Sequence, residues 1–159
     1  MSHKLLPKIT ISASDRRHLQ RLASTARGDA HPVAYFLAQE LARAEIVPDD
    51  SNELELVVTM GSSVRYALNW GSLVAARKLV YPEEYAPDRC QVSVLSPLGA
   101  ALIGLRVGSR MPYSSGGWLH VVRVEDVSRS GSNVVRLPLP PRQALAGSAP
   151  PNDSGPSAA

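Results

Sequence analysis

The main change in the spacing of apolar residues along this chain falls near residue 50, and this change limits the possible folds. Before it, apolar residues recur every three or four positions over two stretches, which is typical of amphipathic helices. After it, short runs rich in β-branched and aromatic residues alternate with polar turns, which is typical of strands. A chain of 159 residues with 44% hydrophobic content can bury one core. We therefore expect an α+β protein whose helices precede its sheet.

The N-terminal residues 8–47 predict a short strand followed by an antiparallel helical hairpin. The alternation in Lys8 to Ser12 favours the strand. Ser14 is the expected N-cap of a first helix, which Gly28 stops. The second helix should run from Pro32, a residue suited to the first helical position, to about Glu45. The short connection favours antiparallel packing of the two helices.

A polar break from Pro48 to Asn52 precedes the second unit, residues 53–128. Its predicted strands are Leu54 to Val58, Val64 to Leu68, Leu73 to Tyr81, Gln91 to Leu95, Val107 to Tyr113 and Trp118 to Val127. Ser96 and Pro97 combine an N-cap with a first-position proline, so a short helix should follow them. Residues 138–159 are rich in proline and small side chains, which predicts a disordered tail.

The positive charge of the chain is concentrated near its start. Residues 1–46 hold seven basic and four acidic side chains, whereas the later residues cancel. Most of the excess comes from Arg16, Arg17, Arg21 and Arg27. These arginines predict either a solvated helix face or a surface for phosphate or an acidic partner. A DNA-binding function therefore stays open as an alternative.

Several other kinds of chemistry find no support in the sequence. Cys90 is the single cysteine, which excludes an internal disulfide framework, and the four histidines lack metal-ligand spacing. No segment resembles a signal peptide or approaches the roughly 20 apolar residues of a membrane span. We expect a cytoplasmic protein without a metal, a cofactor or a membrane partner.

Three separated blocks resemble the Gre-factor and Rnk family. The longest block runs from Ser93 to Gly108, and the blocks Val58 to Val64 and Leu79 to Pro82 precede it in the family's order. Within the family, the longest block is more similar to Rnk, the regulator of nucleoside diphosphate kinase, than to the cleavage factors, which usually carry arginine at Ala100 or Ala101. The resemblance covers about residues 8–128. It implies an FKBP-like antiparallel sheet packed on a short helix, preceded by a helical hairpin.

The same resemblance implies a partner, RNA polymerase, on which the sheet domain docks near the secondary channel. Contact with nucleic acid would then be made through the polymerase. In this family the loop that holds a Ser-Pro pair resembles the docking element, and the matching residues here are Leu95, Ser96, Pro97 and Gly99. A polar or acidic residue often precedes the pair, so Leu95 is a departure that would supply an apolar contact instead.

The expected hairpin tip differs from that of the cleavage factors. Those factors carry two acidic residues at the tip, because two carboxylates help to hold a second divalent cation. The tip here consists of Arg27, Asp29 and His31, and the next acid, Glu40, belongs to the far end of the second helix. We therefore expect a non-catalytic transcription regulator of the Rnk type, with Gre-type transcript cleavage as the alternative.

The FKBP-like fold also raises peptidyl-prolyl isomerase activity as a rival function. Such a pocket needs several aromatic walls, and the candidates within the domain are Trp70, Tyr81, Tyr113 and Trp118. A fold alone does not establish an activity, so we do not expect this one.

Overall fold

The structure is a computed structural model, and it describes residues 6–129. The N-terminal elements are β1 (Thr10–Ser12), α1 (Ala13–Gly28), α2 (Pro32–Arg43) and β2 (Glu45–Val47). The later elements are a 3-10 helix (Asn52–Leu56), β3 (Ser63–Leu68), β4 (Leu73–Val80), β5 (Gln91–Ser93), α3 (Pro97–Leu102), β6 (Arg110–Ser115) and β7 (Trp118–Ser128). The predicted tail at residues 138–159 lies outside the described residues.

The strands form a pair and a five-stranded sheet. β1 and β2 pair in parallel, and the larger sheet has the order β5-β4-β3-β7-β6. The predicted α+β class is confirmed. The larger sheet is antiparallel except at one edge, where β5 runs parallel to β4. The connection over residues 81–90 carries the chain back along the sheet before β5 begins, as a parallel neighbour requires.

The start of α1 differs from the sequence prediction. Ser12, not Ser14, is the N-cap, and its side-chain oxygen accepts a 3.2 Å hydrogen bond from the amide of Asp15. Ser14 instead donates to Asp49 through both its amide, at 3.0 Å, and its hydroxyl, at 2.9 Å. The Ser14 hydroxyl, which local capping rules assigned to the N-cap of α1, is therefore hydrogen-bonded to the distant carboxylate of Asp49.

Two further predictions fail around the hairpin's end. α2 stops at Arg43, so Glu45 belongs to β2, where it pairs with Thr10. The predicted strand from Leu54 to Val58 is wrong: Asn52–Leu56 form a 3-10 helix, and Ser51 caps it by accepting from the amide of Glu53. The buried residues here are Leu54, Val57 and Val58. The three-residue step from Leu54 to Val57 fits a 3-10 turn rather than a strand.

A single core joins the hairpin to the sheet. Leu19 of α1 and Leu37 of α2 are fully buried in the same cluster as Val64 and Val122 of the sheet. Gly104 adapts the chain to this arrangement, because a side-chain carbon there would lie 3.0 Å from Cβ of Ile9. The hairpin is thus packed onto the sheet domain at its base.

Candidate functional site

The turn from Ser93 to Gly99, called the Ser96 turn below, contains the residues expected to dock a partner. The hydroxyl of Ser96 donates to the carbonyl oxygen of Ser93 at 2.6 Å and accepts from the amide of Gly99 at 3.0 Å. The backbone amide of Ser96 donates to the same carbonyl at 3.0 Å. Ser96 is therefore the N-cap of α3, as the sequence predicts, and its hydroxyl is engaged within the turn.

Gly99 lets the two limbs of the Ser96 turn approach each other. A side-chain carbon at Gly99 would lie 1.9 Å from the carbonyl oxygen of Ser93, far inside van der Waals contact. Only glycine permits this close approach. The turn is therefore tightly closed. The apolar side chains Leu95, Pro97 and Leu98 in it are half-buried, and Leu95 and Leu98 also pack against the core.

The hairpin tip is exposed and carries one carboxylate. Asp29 is the C-cap of α1, and its amide donates to the carbonyl of Thr25 at 3.2 Å. Nδ1 of His31 accepts from the amide of Val33 at 3.3 Å, which makes His31 the N-cap of α2. The guanidinium of Arg27 lies 5.4 Å from the ring centre of Tyr35. Two of the three tip side chains therefore stabilise the hairpin itself.

The next acid after the tip in the sequence, Glu40, is unavailable to the tip. The side chain of Glu40 is 4% exposed and forms an ion pair with Arg43. Arg43 also donates to the carbonyl oxygen of Pro7 at 2.6 Å, which fixes the pair at the base of the hairpin. In the part of the chain that the structure describes, no group of three or more His, Cys, Asp and Glu side chains could hold a metal ion.

The arginines of α1 do not form one uniform surface. Arg17 and Arg21 lie one turn apart and are exposed, whereas Arg16 is half-buried. Arg27 lies at the tip beside Tyr35. The exposed basic surface of the helix is thus smaller than the charge count suggests.

Beside the basic surface, α1 and the segment after β4 enclose a cleft of about 400 Å³ lined by Arg21, Leu22 and Thr25 among others. The rings of His18 and Tyr81 meet edge-on in it, with centres 6.3 Å apart. The hydroxyl of Tyr81 is buried, with no hydrogen-bond partner among residues 6–129. Burial raises the pKa of Tyr81 to about 12, so its phenol stays neutral.

A second cleft, of about 420 Å³, lies where the start of α1 meets the loop before β3. The amide of Met60 donates to Asp15 there, and Asp49 holds Ser14. Burial raises the pKa of Asp15. The two hydrogen bonds from Ser14 lower the pKa of Asp49. Neither Asp15 nor Asp49 was identified as a site residue from the sequence, because their partners are distant in the chain.

The four aromatic candidates for an isomerase pocket lie apart. Trp70 is at the β3–β4 turn and Trp118 at the start of β7, both largely exposed. Tyr113 is buried against His120, with ring centres 5.3 Å apart, and Tyr81 lies beside α1. They do not form the walls of one proline-sized pocket.

None of the helices in residues 6–129 is long and apolar enough to cross a membrane.

Comparison with known families accounts for most of the chain. The family described as "Rnk N-terminus" matches residues 7–47. The family described as "Transcription elongation factor, GreA/GreB, C-term" matches residues 53–129.

Individual relatives agree with these matches. The chain is 34% identical over 111 residues to proteins named "Regulator of nucleoside diphosphate kinase" from Escherichia coli strain K12 and from Shigella flexneri, covering 70% of this chain and 81% of each relative. A solved structure named "Prokaryotic transcription elongation factor GreA/GreB from Nitrosomonas europaea" is 35% identical, with a TM-score of 0.62, and the match covers 76% of this chain and 99% of that one.

Proposed function

The chain belongs to the Rnk regulators of the Gre-factor family, and from this premise we propose that it binds RNA polymerase near the secondary channel without cleaving the transcript. One observation carries the proposal: a Gre-type sheet domain is joined to a hairpin whose tip holds a single carboxylate, Asp29. The sheet domain would supply the binding, and the hairpin would occupy the channel mouth.

The Ser96 turn is the proposed docking element. Its three internal hydrogen bonds and the close approach at Gly99 hold the turn in one shape before any partner arrives. Preorganisation of this kind lowers the entropy cost of association. Because the Ser96 hydroxyl is engaged internally, the contact would be apolar, made by Leu95 and Pro97 at the surface of the turn.

The hairpin lacks the means for cleavage. α1 has 16 residues and α2 has 12, so the helices are only about 24 Å and about 18 Å long. Asp29 is the single acid among the tip residues 27–31, and Glu40 is paired with Arg43 towards the opposite end of α2. A two-metal hydrolysis needs oxygen ligands on both cations. The protein would therefore act by occupying the channel, in competition with longer hairpin factors.

Pull-down of core RNA polymerase by the full chain tests the docking assignment. Leu95→Ser combined with Pro97→Ala removes the apolar contact and keeps the capping hydroxyl of Ser96. We expect polymerase retention to fall about tenfold or more. Because Leu95 also packs against the core, retention is compared at a temperature at which melting curves show both proteins to be folded. Leu56→Ser is the control for loss of a surface leucine, since Leu56 is exposed and lies on the 3-10 helix, outside the Ser96 turn. Equal retention by the docking variant and the control would overturn the assignment.

Backtracked elongation complexes test the absence of cleavage. Incubation with the protein and Mg²⁺ should release no 3′ RNA fragment, and Asp29→Ala should behave like the wild type. Fragment release that disappears in Asp29→Ala would instead establish a cleavage factor that works with one tip carboxylate.

A further inference from the structure

The outer face of the five-stranded sheet, opposite the core, carries three arginines, which exceed its two acids by one. Arg65 alternates along β3 with the buried Val64 and Tyr66, so it points away from the core. Ala67, two residues further along β3, lies on the same face and pairs with Arg123 of β7. Arg123 in turn pairs with Arg110 of β6, so both arginines share the face of Arg65. Two acids also lie on this face, Glu125, which pairs with Arg123, and Asp126, which lies opposite Arg65.

Trp70 lies at the end of this face in an unusual backbone conformation. Its φ is +65° and its ψ is +25°, and the preceding Asn69 has a φ of +46°. The left-handed region is costly for a bulky side chain. The indole is nevertheless 77% exposed, so burial in the core does not compensate for the strain. Strain at an exposed aromatic residue points to a role outside folding.

Asn69 fixes the position of this turn. Its Oδ1 accepts from the amide of Val121 at 3.2 Å, and its Nδ2 lies 3.3 Å from Nδ1 of His120. These contacts tie the β3–β4 turn to β7. The indole is therefore held at a defined place above the sheet.

The side chain beside Trp70 is a cation. The guanidinium of Arg110 lies 5.0 Å from the ring centre of Trp70. Together with Ala67, Val121 and Arg123, the two residues border a shallow depression of about 50 Å³. This volume is too small to enclose a ligand, but an exposed aromatic ring can stack a neutral planar group such as a nucleobase, and guanidinium groups beside it can bind an anion linked to that group.

We propose that the outer sheet face around Trp70 and Arg110 binds single-stranded nucleic acid, with a base stacked on the indole and the backbone phosphates held by Arg110 and Arg65. The charge favours an anionic polymer, and the exposed ring favours one with aromatic bases over an acidic polypeptide. This surface is separate from the arginines of α1 and from the Ser96 turn, so it does not depend on the proposed docking to polymerase.

The two tryptophans of the chain allow a direct test in the full-length protein. Trp118→Phe leaves Trp70 as the single tryptophan, and Trp70→Phe leaves Trp118. Titration with a ten-nucleotide oligouridine, the matching oligothymidine and a ten-base-pair duplex should quench Trp70 with both single strands and weakly with the duplex. Trp118 is the control fluorophore. It is 76% exposed, nearly as much as Trp70, but it belongs to the same side of the sheet as the buried Val122.

Binding constants from labelled oligonucleotides then assign the side chains. Trp70→Ala should weaken binding about tenfold or more, and Trp118→Ala should leave it unchanged. Arg110→Ala should reduce the salt slope of the binding constant by about 0.7, the value for one phosphate contact on a single strand.

Failure of the single strands to quench Trp70 would overturn the proposal. So would equal quenching by an oligoglutamate peptide, which would assign the face to an acidic protein. Loss of binding through Arg17→Ala and Arg21→Ala, with Arg110→Ala unaffected, would move the site to α1.

Discussion

The backbone amide of Met60 donates a 3.2 Å hydrogen bond to Oδ2 of Asp15, and this contact ties the first turn of the hairpin to the loop before β3. It spans 45 residues of sequence and lies in the cleft between the two parts of the chain. Close by, Asp49 holds Ser14 from the other side. These two carboxylates, which differ in burial, join the start of α1 to residues outside the hairpin.

Asp15 should make the protein less stable as the pH rises. Burial raises the pKa of its carboxyl above the ordinary 3.8, since desolvation outweighs the hydrogen bonds from Met60 and Ser12. The folded state then holds the proton more tightly than the unfolded state. The stabilisation is fully present below pH 3.8 and is lost as the pH rises through the folded pKa. Asp15→Asn keeps an acceptor for Met60, so at pH 7 it should raise the melting temperature relative to the wild type.

The control is the pH dependence of the difference in melting temperature between Asp15→Asn and the wild type. Melting curves of Asp15→Asn and the wild type should converge when the pH is lowered to about 3, where the carboxyl is largely protonated. A variant that melts lower than the wild type at pH 7 would show that the charge at Asp15 stabilises the fold.

Asp49 should have the opposite effect on stability. The amide and hydroxyl of Ser14 lower the pKa of its carboxyl, so its stabilisation is present above the ordinary 3.8 and is lost as the pH falls through the lowered pKa. Asp49→Asn should therefore melt below the wild type at pH 7, with the difference disappearing in acid. Ser14→Ala removes the hydroxyl and keeps the amide, which is the larger cause of the lowered pKa, so the pKa of Asp49, followed by NMR titration, should return only part of the way towards its ordinary value. An unchanged titration would mean that the Ser14 hydroxyl does not hold Asp49 in solution.

Gly99 and Gly28 should respond to alanine with opposite signs. A side-chain carbon at Gly99 meets the Ser93 carbonyl oxygen at 1.9 Å, so Gly99→Ala must displace the backbone of the Ser96 turn and should cost at least about 3 kcal/mol. Gly28 ends α1 with nothing within 4 Å of the added carbon, so Gly28→Ala should be neutral or stabilising by up to about 1 kcal/mol. Urea denaturation measures both. A Gly99→Ala protein as stable as the wild type would mean that the turn is not tightly closed.

Local rules predicted the Ser96 turn well. The N-cap at Ser96 and the first-position proline of α3 depend only on neighbouring residues, and the structure has both. The same rules failed at Ser14, because its partner Asp49 is 35 residues away. They also missed β2, which exists because Glu45 and Ile46 pair with β1 across the whole hairpin.

The tip of the hairpin shows the same limit in the candidate site. The sequence correctly separated Glu40 from Asp29, since twelve helical residues leave no way for the two to meet at one end. It did not predict that His31 caps α2 or that Arg27 stacks on Tyr35. The sequence also did not predict the surface around Trp70. Arg110 comes to lie beside Trp70 only through the register of β3, β7 and β6.

Replacing Arg43 should destabilise the protein more than replacing Glu40, although the two residues form one ion pair. The side chain of Glu40 is 4% exposed and that of Arg43 is 29% exposed, so the carboxylate depends on the pair more than the guanidinium does. Arg43→Ala leaves a buried charge without its partner and should cost about 3 to 5 kcal/mol. Glu40→Gln leaves Arg43 near water with its hydrogen bond to the Pro7 carbonyl and should cost roughly 1 kcal/mol.

Two further proteins complete the urea-denaturation series for this pair. Arg21→Ala, at an exposed arginine of α1, should stay within about 0.5 kcal/mol of the wild type, because surface substitutions rarely exceed that value. The double variant Glu40→Met with Arg43→Ala removes the buried charge together with its partner, and it should be more stable than Arg43→Ala alone. If Arg43→Ala costs no more than Arg21→Ala, Glu40 must find another partner or water at the base of the hairpin, and the pair would not anchor α2 there.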